Sequence, residues 1–257
     1  MLAEGFPLTR TRLAAVAAGA LGMALGISAC ENVQGYTQPA LVRVIDASYI
    51  AQTDYPAGLN FYVAGTAIAS AVGEGFISGY GTVPTANSAL VKVTSTVGST
   101  TLVSTDVTLT RVSEGNQFSV FMTDNGASPA SYTVTAVQDQ STAAASGHSA
   151  FRFFNQAPKV GAVDIYMMPS GSTLANTTAL YTNLAVGAST GYISFASQTV
   201  TMYILPAGTN VAAASSTSLV SDGSFALTGG EVRTVMIIDS QLTSNPAASV
   251  VVAKDVN

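Results

Sequence analysis

One stretch of this 257-residue chain occurs twice. It runs first over residues 43–63 (RVIDASYIAQTDYPAGLNFYV) and returns over residues 152–167 (RFFNQAPKVGAVDIYM). The copies open segments of nearly equal length, each closing on an apolar alternation that ends in aspartate, YTVTAVQD at Asp139 and SVVVAKD at Asp255. A unit of about a hundred residues is too long for one turn of a solenoid and matches an ordinary domain. Between the termini of each copy, short runs of Val, Thr, Phe and Tyr alternate with Gly, Asn, Asp and Pro turns. ALVKVTST at 89–96 keeps the period of two that a half-buried strand requires. No segment has the helical period. The expected fold class is all-β: two tandem immunoglobulin-like β-sandwich domains after an N-terminal signal segment. The expected organisation is a signal peptide over 1–29, a tether over 30–39, sandwich domains over 40–140 and 149–257, and a small polar linker over 141–148.

The leader carries the clearest chemical signal. Arg10 and Arg12 precede an apolar stretch from Leu13 to Ser28, the order of a secretory signal. Ile27-Ser28-Ala29-Cys30 then resembles the bacterial lipobox, in which the cysteine thiol is diacylglycerated and becomes the mature N-terminus. Cys30 is the only cysteine of the chain, so lipidation leaves the mature protein without a disulfide. Each buried methylene of an acyl chain adds about 0.8 kcal/mol of membrane affinity. Anchoring through acyl chains on Cys30 is therefore the expected membrane contact. Glu31 rather than Asp after the cysteine points to the outer membrane or periplasmic face over inner-membrane retention.

Composition narrows the partners. Only 9% of residues are charged, against about 25% in average soluble domains. The formal net charge is −5 and the region after the leader holds no basic run, which argues against nucleic acid. Envelope proteins or glycans are the remaining candidate partners.

Both copies resemble the DUF4397 domain, a family of exported bacterial proteins whose units often occur in tandem. Arg43, Ala47 and Ser48 fit its R-x-R-x-x-H-A-S-P opening, as do Arg152, Ala157 and Pro158. Val163-Asp164-Ile165-Tyr166 and Leu59-Asn60-Phe61-Tyr62 fit its V-D-V-Y-V segment. Gly79-Tyr80 and Gly191-Tyr192 fit its Gly-Tyr pair. The family's histidine is replaced by Asp46 in one copy and Asn155 in the other. The resemblance implies an exported protein and lends little activity, since the family's function is unknown.

Several residue patterns bear on chemistry. Gly187-Ala188-Ser189-Thr190-Gly191 reads G-x-S-x-G, but a nucleophile elbow needs a following helix and a later histidine, and His148 lies upstream. One histidine cannot complete a zinc site. Asp46, Asp54, Asp124, Asp139 and Asp164 could supply calcium oxygens, though no D-x-D-x-D-G loop exists. Gly73-Glu74-Gly75 lacks the lysine and helix of a phosphate loop. Tyr62, Tyr80, Tyr166, Tyr192 and Tyr203 could stack on sugars, but strand aromatics ordinarily pack in cores. Arg43 and Arg152 occupy matching places in apolar strands and are expected to be structural, Arg43 pairing with Asp46 or Asp139. The expectation is a non-enzyme with no cofactor and no metal. Its role is structural or interactive at the envelope, with carbohydrate binding as the alternative.

Overall fold

The strand that opens the first copy, Ala40–Asp46 (β1), is buried on both faces. Successive side chains of a strand point to opposite sides. Val42 and Val44 enter one apolar core and Ile45 enters another. Strands enclosed on both faces carry near-continuous apolar runs rather than alternation. β1 lies parallel to β7 (Gln117–Asp124), with Arg43 opposite Ser119, and antiparallel to β4 (Gly81–Val83). β8 (Tyr132–Gln138) completes this sheet in the order β4-β1-β7-β8. The second sheet runs β3-β2-β5-β6, from Thr66–Val72, Leu59–Val63, Ala89–Ser95 and Thr101–Val107. Leu59, Phe61, Val63, Val91 and Val93 of that sheet pack against Val42, Val44, Phe118, Val120 and Met122 of the first. The structure, a computed structural model, describes residues 39–84, 88–109, 117–140, 142–212, 220–240 and 248–255.

The second copy repeats this order strand for strand. Its elements are β9 (His148–Gln156), β10 (Val163–Pro169), β11 (Tyr181–Leu184), β12 (Ser189–Ala196), β13 (Thr199–Pro206), β14 (Val220–Ala226), β15 (Val232–Asp239) and β16 (Ala248–Lys254). They form sheets β12-β9-β15-β16 and β11-β10-β13-β14, with β9 parallel to β15 and Arg152 opposite Thr234. Phe151, Phe153, Val235 and Ile237 face Val163, Ile165, Met202 and Ile204 across the second core. The all-β sandwich class is the one the sequence predicts. Among the described residues each sandwich has eight strands, where the immunoglobulin constant type has seven in ABED and CFG sheets.

One helix departs from the strand-and-turn reading. Tyr49–Asp54 (α1) has no side-chain cap from its own N-cap residue, Ser48. Its Ile50 amide instead donates to Asp124 Oδ2 at 2.7 Å, from the end of β7. A distant carboxylate thus satisfies one of the amides that a helix start leaves open. Gly58, after α1, has φ +89°, and a Cβ there would lie 2.7 Å from the Ala71 carbonyl carbon. Gly58→Ala is expected to destabilise by clearly more than the ~1 kcal/mol of a left-handed alanine. Gly65→Ala, at φ +79° with nothing within 4 Å of the Cβ, should show that smaller cost. Thermal midpoints of the two variants compare them directly, and equal midpoints would contradict the steric account.

A third apolar core lies between the sandwiches. Ile45, Ala47 and Phe121 of the first pack against Phe154, Met236, Ile238, Val251 and Ala253 of the second. The sheets β4-β1-β7-β8 and β12-β9-β15-β16 are therefore the inner two of four stacked layers. At the end of this joint, Lys159 Nζ lies 3.6 Å from the centroid of the Tyr49 ring.

Candidate functional site

The inner face of each central sheet carries one arginine. Arg43 and Arg152 are 2% and 5% exposed. Both lie on the parity of their strands that faces the opposing sandwich. Arg43 Nε donates to Ser119 Oγ at 2.7 Å within its own sheet. Its Nη1 then crosses to the Lys254 carbonyl at 2.7 Å and its Nη2 to the Asp255 carboxylate. Arg152 does the reverse. Its Nε donates to Thr234 Oγ1 at 3.2 Å, its Nη1 to the Gln138 carbonyl at 2.9 Å and its Nη2 to Asp139 Oδ1 at 2.6 Å. Each arginine is thus held by the last strand of the other sandwich.

The remaining contacts stay within each sandwich and hold the carboxylate that receives the opposing arginine. Ser119 Oγ donates to Asp139 Oδ2 at 2.8 Å, and Thr234 Oγ1 donates to Asp255 Oδ2 at 2.8 Å. Tyr80 OH donates to Asp139 Oδ2 at 2.8 Å, and Tyr192 OH to Asp255 Oδ2 at 2.7 Å. The Arg43 guanidinium carbon lies 5.1 Å from the Tyr80 ring centroid, and that of Arg152 lies 4.7 Å from Tyr192. Two guanidinium groups and two carboxylates close a cluster of zero net charge. Burial pulls Arg43 down, yet the nearby Asp139 and Asp255 carboxylates together hold it above its ordinary value. Burial and the adjoining carboxylates push the Tyr80 and Tyr192 phenols above their usual range, so both act as neutral donors. Such a cluster, with its charges balanced and its donors paired, fixes a geometry.

The other sequence candidates are dispersed. Arg43 does not pair with Asp46, contrary to one expected partner; Asp139 stands 3.5 Å away and the main partner is Asp255. Asp46 Oδ1 accepts from Ser48 N at 3.1 Å and Ser48 Oγ at 2.6 Å, while its buried Oδ2 has no hydrogen-bond partner. Asp124 accepts Gly126 N as well as Ile50 N, and Asp164 accepts Asn183 N and Gly208 N. Asp54 accepts from Tyr132 OH at 3.3 Å. Among the described residues no three His, Cys, Asp or Glu side chains are grouped to hold a metal ion. Glu74 N donates to Gln52 Oε1, so Gly73–Gly75 forms a turn held by α1.

Ser189 begins a strand, not a helix, and is exposed. It lies opposite Phe154, whereas His148 opens β9 opposite Ala196, which separates the two by about 20 Å of strand. Tyr166 and Tyr203 pack with Leu174 on the outer face of the second sandwich, and Tyr62 lies half-buried on β2. The five tyrosines form no common platform. Cys30 lies outside the described residues. Sequence reasoning passed over Ser119, Thr234 and Asp255. The available signal was the equivalence of the two copies: each has an arginine on its first strand, a hydroxyl on its seventh and an aspartate after its eighth.

Two adjoining clefts of about 420 and 350 Å³ flank the cluster, between residues 74–80 and the edge strand β16. Ile77 and Val252 line both, Glu74 and Ser249 line the larger, and Arg43 and Tyr80 of the cluster line the smaller.

Residues 40–166 match the family model described as a domain of unknown function, DUF4397. The match covers the first sandwich and continues through β9 into β10. Comparison with curated proteins finds no match. Among solved structures, a carbohydrate-binding module, CBMbc (family CBM26) from Eubacterium rectale Amy13K in complex with maltoheptaose, aligns with 82% of this chain and 95% of its own. The TM-score is 0.24 and the identity 9%, a likeness that carries no functional argument.

Proposed function

We propose that the chain is a passive envelope lipoprotein, anchored through acyl chains on Cys30, whose two DUF4397-type sandwiches serve as one structural or interaction module. The second sandwich is read as a further unit of that family because its Arg152, Tyr192, Thr234 and Asp255 stand where Arg43, Tyr80, Ser119 and Asp139 stand in the first. One observation carries the reading. The arginine and aspartate that both copies share join the sandwiches, in a buried cluster of balanced charge that the shared hydroxyls hold in place. A protein whose repeated residues build a joint is built to hold a shape, and no chemical step is assigned to it. Partners would meet the outer sheets, the rim loops or open edges such as β16, where Val252 is 39% exposed. Sugar binding has less support because the tyrosines are scattered.

Cys30→Ser tests the anchoring half. The variant should move from the membrane to the soluble fraction and lose the acyl mass in intact-mass spectrometry. Retention in the membrane with an unchanged mass would remove the lipoprotein reading. For the interaction half, chain lacking the leader should retain envelope proteins in a pull-down and show no saturable binding on a glycan array.

A further inference from the structure

Among the described residues eight strands stand at sheet edges. β3, β6, β11, β12 and β14 shift register against their neighbours, and β4 has only three residues. Bulges and shortness blunt an edge against pairing with another chain. β8 and β16 are regular and longer, and of these β16 borders the two clefts. The Asp255 amide donates to the Val232 carbonyl at 2.8 Å, which fixes the phase of the β15–β16 ladder. Bonded and non-bonded pairs alternate along an antiparallel ladder. Ser249, Val251 and Ala253 therefore bond β15, while Val250, Val252 and Lys254 turn N–H and C=O outward. The Lys254 carbonyl accepts from Arg43 Nη1 at 2.7 Å, as this phase requires. Among the described residues the backbone groups of Val250 and Val252 meet no partner.

The clefts continue the apolar joint. Ile77, Ile238 and Val251 pack in the third core and also line the larger cleft. Residues 74–80 run beside 249–254, so the groove is about 17 Å long, the span of some six extended residues. Its ends differ in charge. Glu74 lies at the end of Ser249 and Val250, and Lys254 lies at the end of Tyr80. Lys254 is exposed and makes no ion pair among the described residues. We propose that β16 takes up an extended peptide segment of a partner protein as an added antiparallel strand, seated between β16 and residues 74–80. An added strand gains affinity from main-chain bonds and selectivity from alternate side chains. The segment has apolar residues at alternate positions to continue the joint. It carries an acidic residue at its start, beside Lys254, and a basic one at its end, beside Glu74. This names the partner class of the interaction module proposed above and rests on that reading.

The test uses the full chain in detergent and a fluorescent end-blocked probe, Glu-Val-Thr-Val-Thr-Lys, read by anisotropy. Saturable binding is expected. Val252→Pro removes an outward N–H and spares the ladder to β15, and should weaken binding at least about tenfold. Lys254→Glu should favour Lys-Val-Thr-Val-Thr-Lys over the first probe. Methylating one alternate set of probe amides should abolish binding to the wild type and methylating the other should not, because only one set faces β16. That readout decides even where the proline variant does not fold. No binding by the wild type, equal binding by folded Val252→Pro, or indifference to both methylated sets overturns the inference. A wild-type mass of two chains that falls to one in Val252→Pro assigns the edge to a second copy and overturns it too. The envelope pull-down separates this from the wider reading. Proteins retained equally by wild type and Val252→Pro would sink the edge and leave the module standing. An empty wild-type pull-down beside intact probe binding would sink the envelope partners and leave the edge.

Discussion

Asp255→Ala is expected to lower the unfolding free energy by about 3–5 kcal/mol, the usual cost of removing one partner from a buried ion pair. The substitution strips Arg43 of the carboxylate at its Nη2 and leaves the hydroxyls of Tyr192 and Thr234 without their acceptor. Two buried groups and the half-buried Tyr192 phenol lose a bond at once, and the surviving positive charge has only Asp139, 3.5 Å away, to oppose it. Arg43→Lys should not be benign, because an ammonium cannot serve Ser119, Lys254 and Asp255 with the planar fork that guanidinium offers. Arg43→Met combined with Asp255→Ala should cost less than the two changes summed, since the double variant leaves no unpaired charge. Urea unfolding of the four proteins measures this coupling. Additive costs would show that the pair is not coupled. Because the pair is buried, the loss should change less with salt than that of a surface pair. The same variant should also weaken the cooperation of the sandwiches. Each has a core of its own, so a chain without its joint is expected to unfold in two steps rather than one.

The strands and their equivalence were legible because alternation and turn residues are local properties. β5 reads ALVKVTS and buries every second residue at its start, as an outer-layer strand should. β7 and β15 carried a further message. QFSVFMTD and VRTVMIID bury both parities, which only a third apolar interface explains. A sandwich standing alone would have shown alternation there. The partner of Arg43 was not legible for a different reason. Pairing with Asp139 in its own sandwich and with Asp255 in the other leave the same pattern in the sequence, because the two aspartates are equivalent by repeat. Only the docking of the inner sheets distinguishes them. The helix α1 was not legible because six residues are too few to show a helical period, and its open amide is met by Asp124 on another strand rather than by Ser48 at its N-cap.

The two copies differ at one buried position in a way that sets the pH response. Asn155 donates its Nδ2 to the Gly161 and Leu184 carbonyls at 2.8 and 2.9 Å and accepts the Ala157 amide on Oδ1. Asp46, at the equivalent place, makes the matching bond to Ser48 N through Oδ1, but its Oδ2 has nothing to accept. An ionised carboxylate there keeps a bare oxygen in the interior. Burial pushes the carboxyl up to about 6, with Asp124 adding to the rise and the Ser48 bonds opposing it. In the unfolded chain an aspartate titrates near 3.9. The folded state therefore holds the proton more tightly, and between these values it binds more protons than the unfolded state. Stability from this group is full below about pH 4, falls as pH rises to about 6, and is flat above, a loss of about 3 kcal/mol. Burial shifts Asp239 in the same direction and adds to the slope. Asp46→Asn supplies a neutral amide, as the second copy already does. It should match the wild type at pH 4 and exceed it at pH 8 by up to about 3 kcal/mol. Asn155→Asp should import the slope and, by aiming a carboxylate oxygen at two carbonyls, destabilise at pH 8. Urea midpoints at both pH values read all three proteins, and an Asp46→Asn chain as pH-dependent as the wild type would show that the slope arises elsewhere.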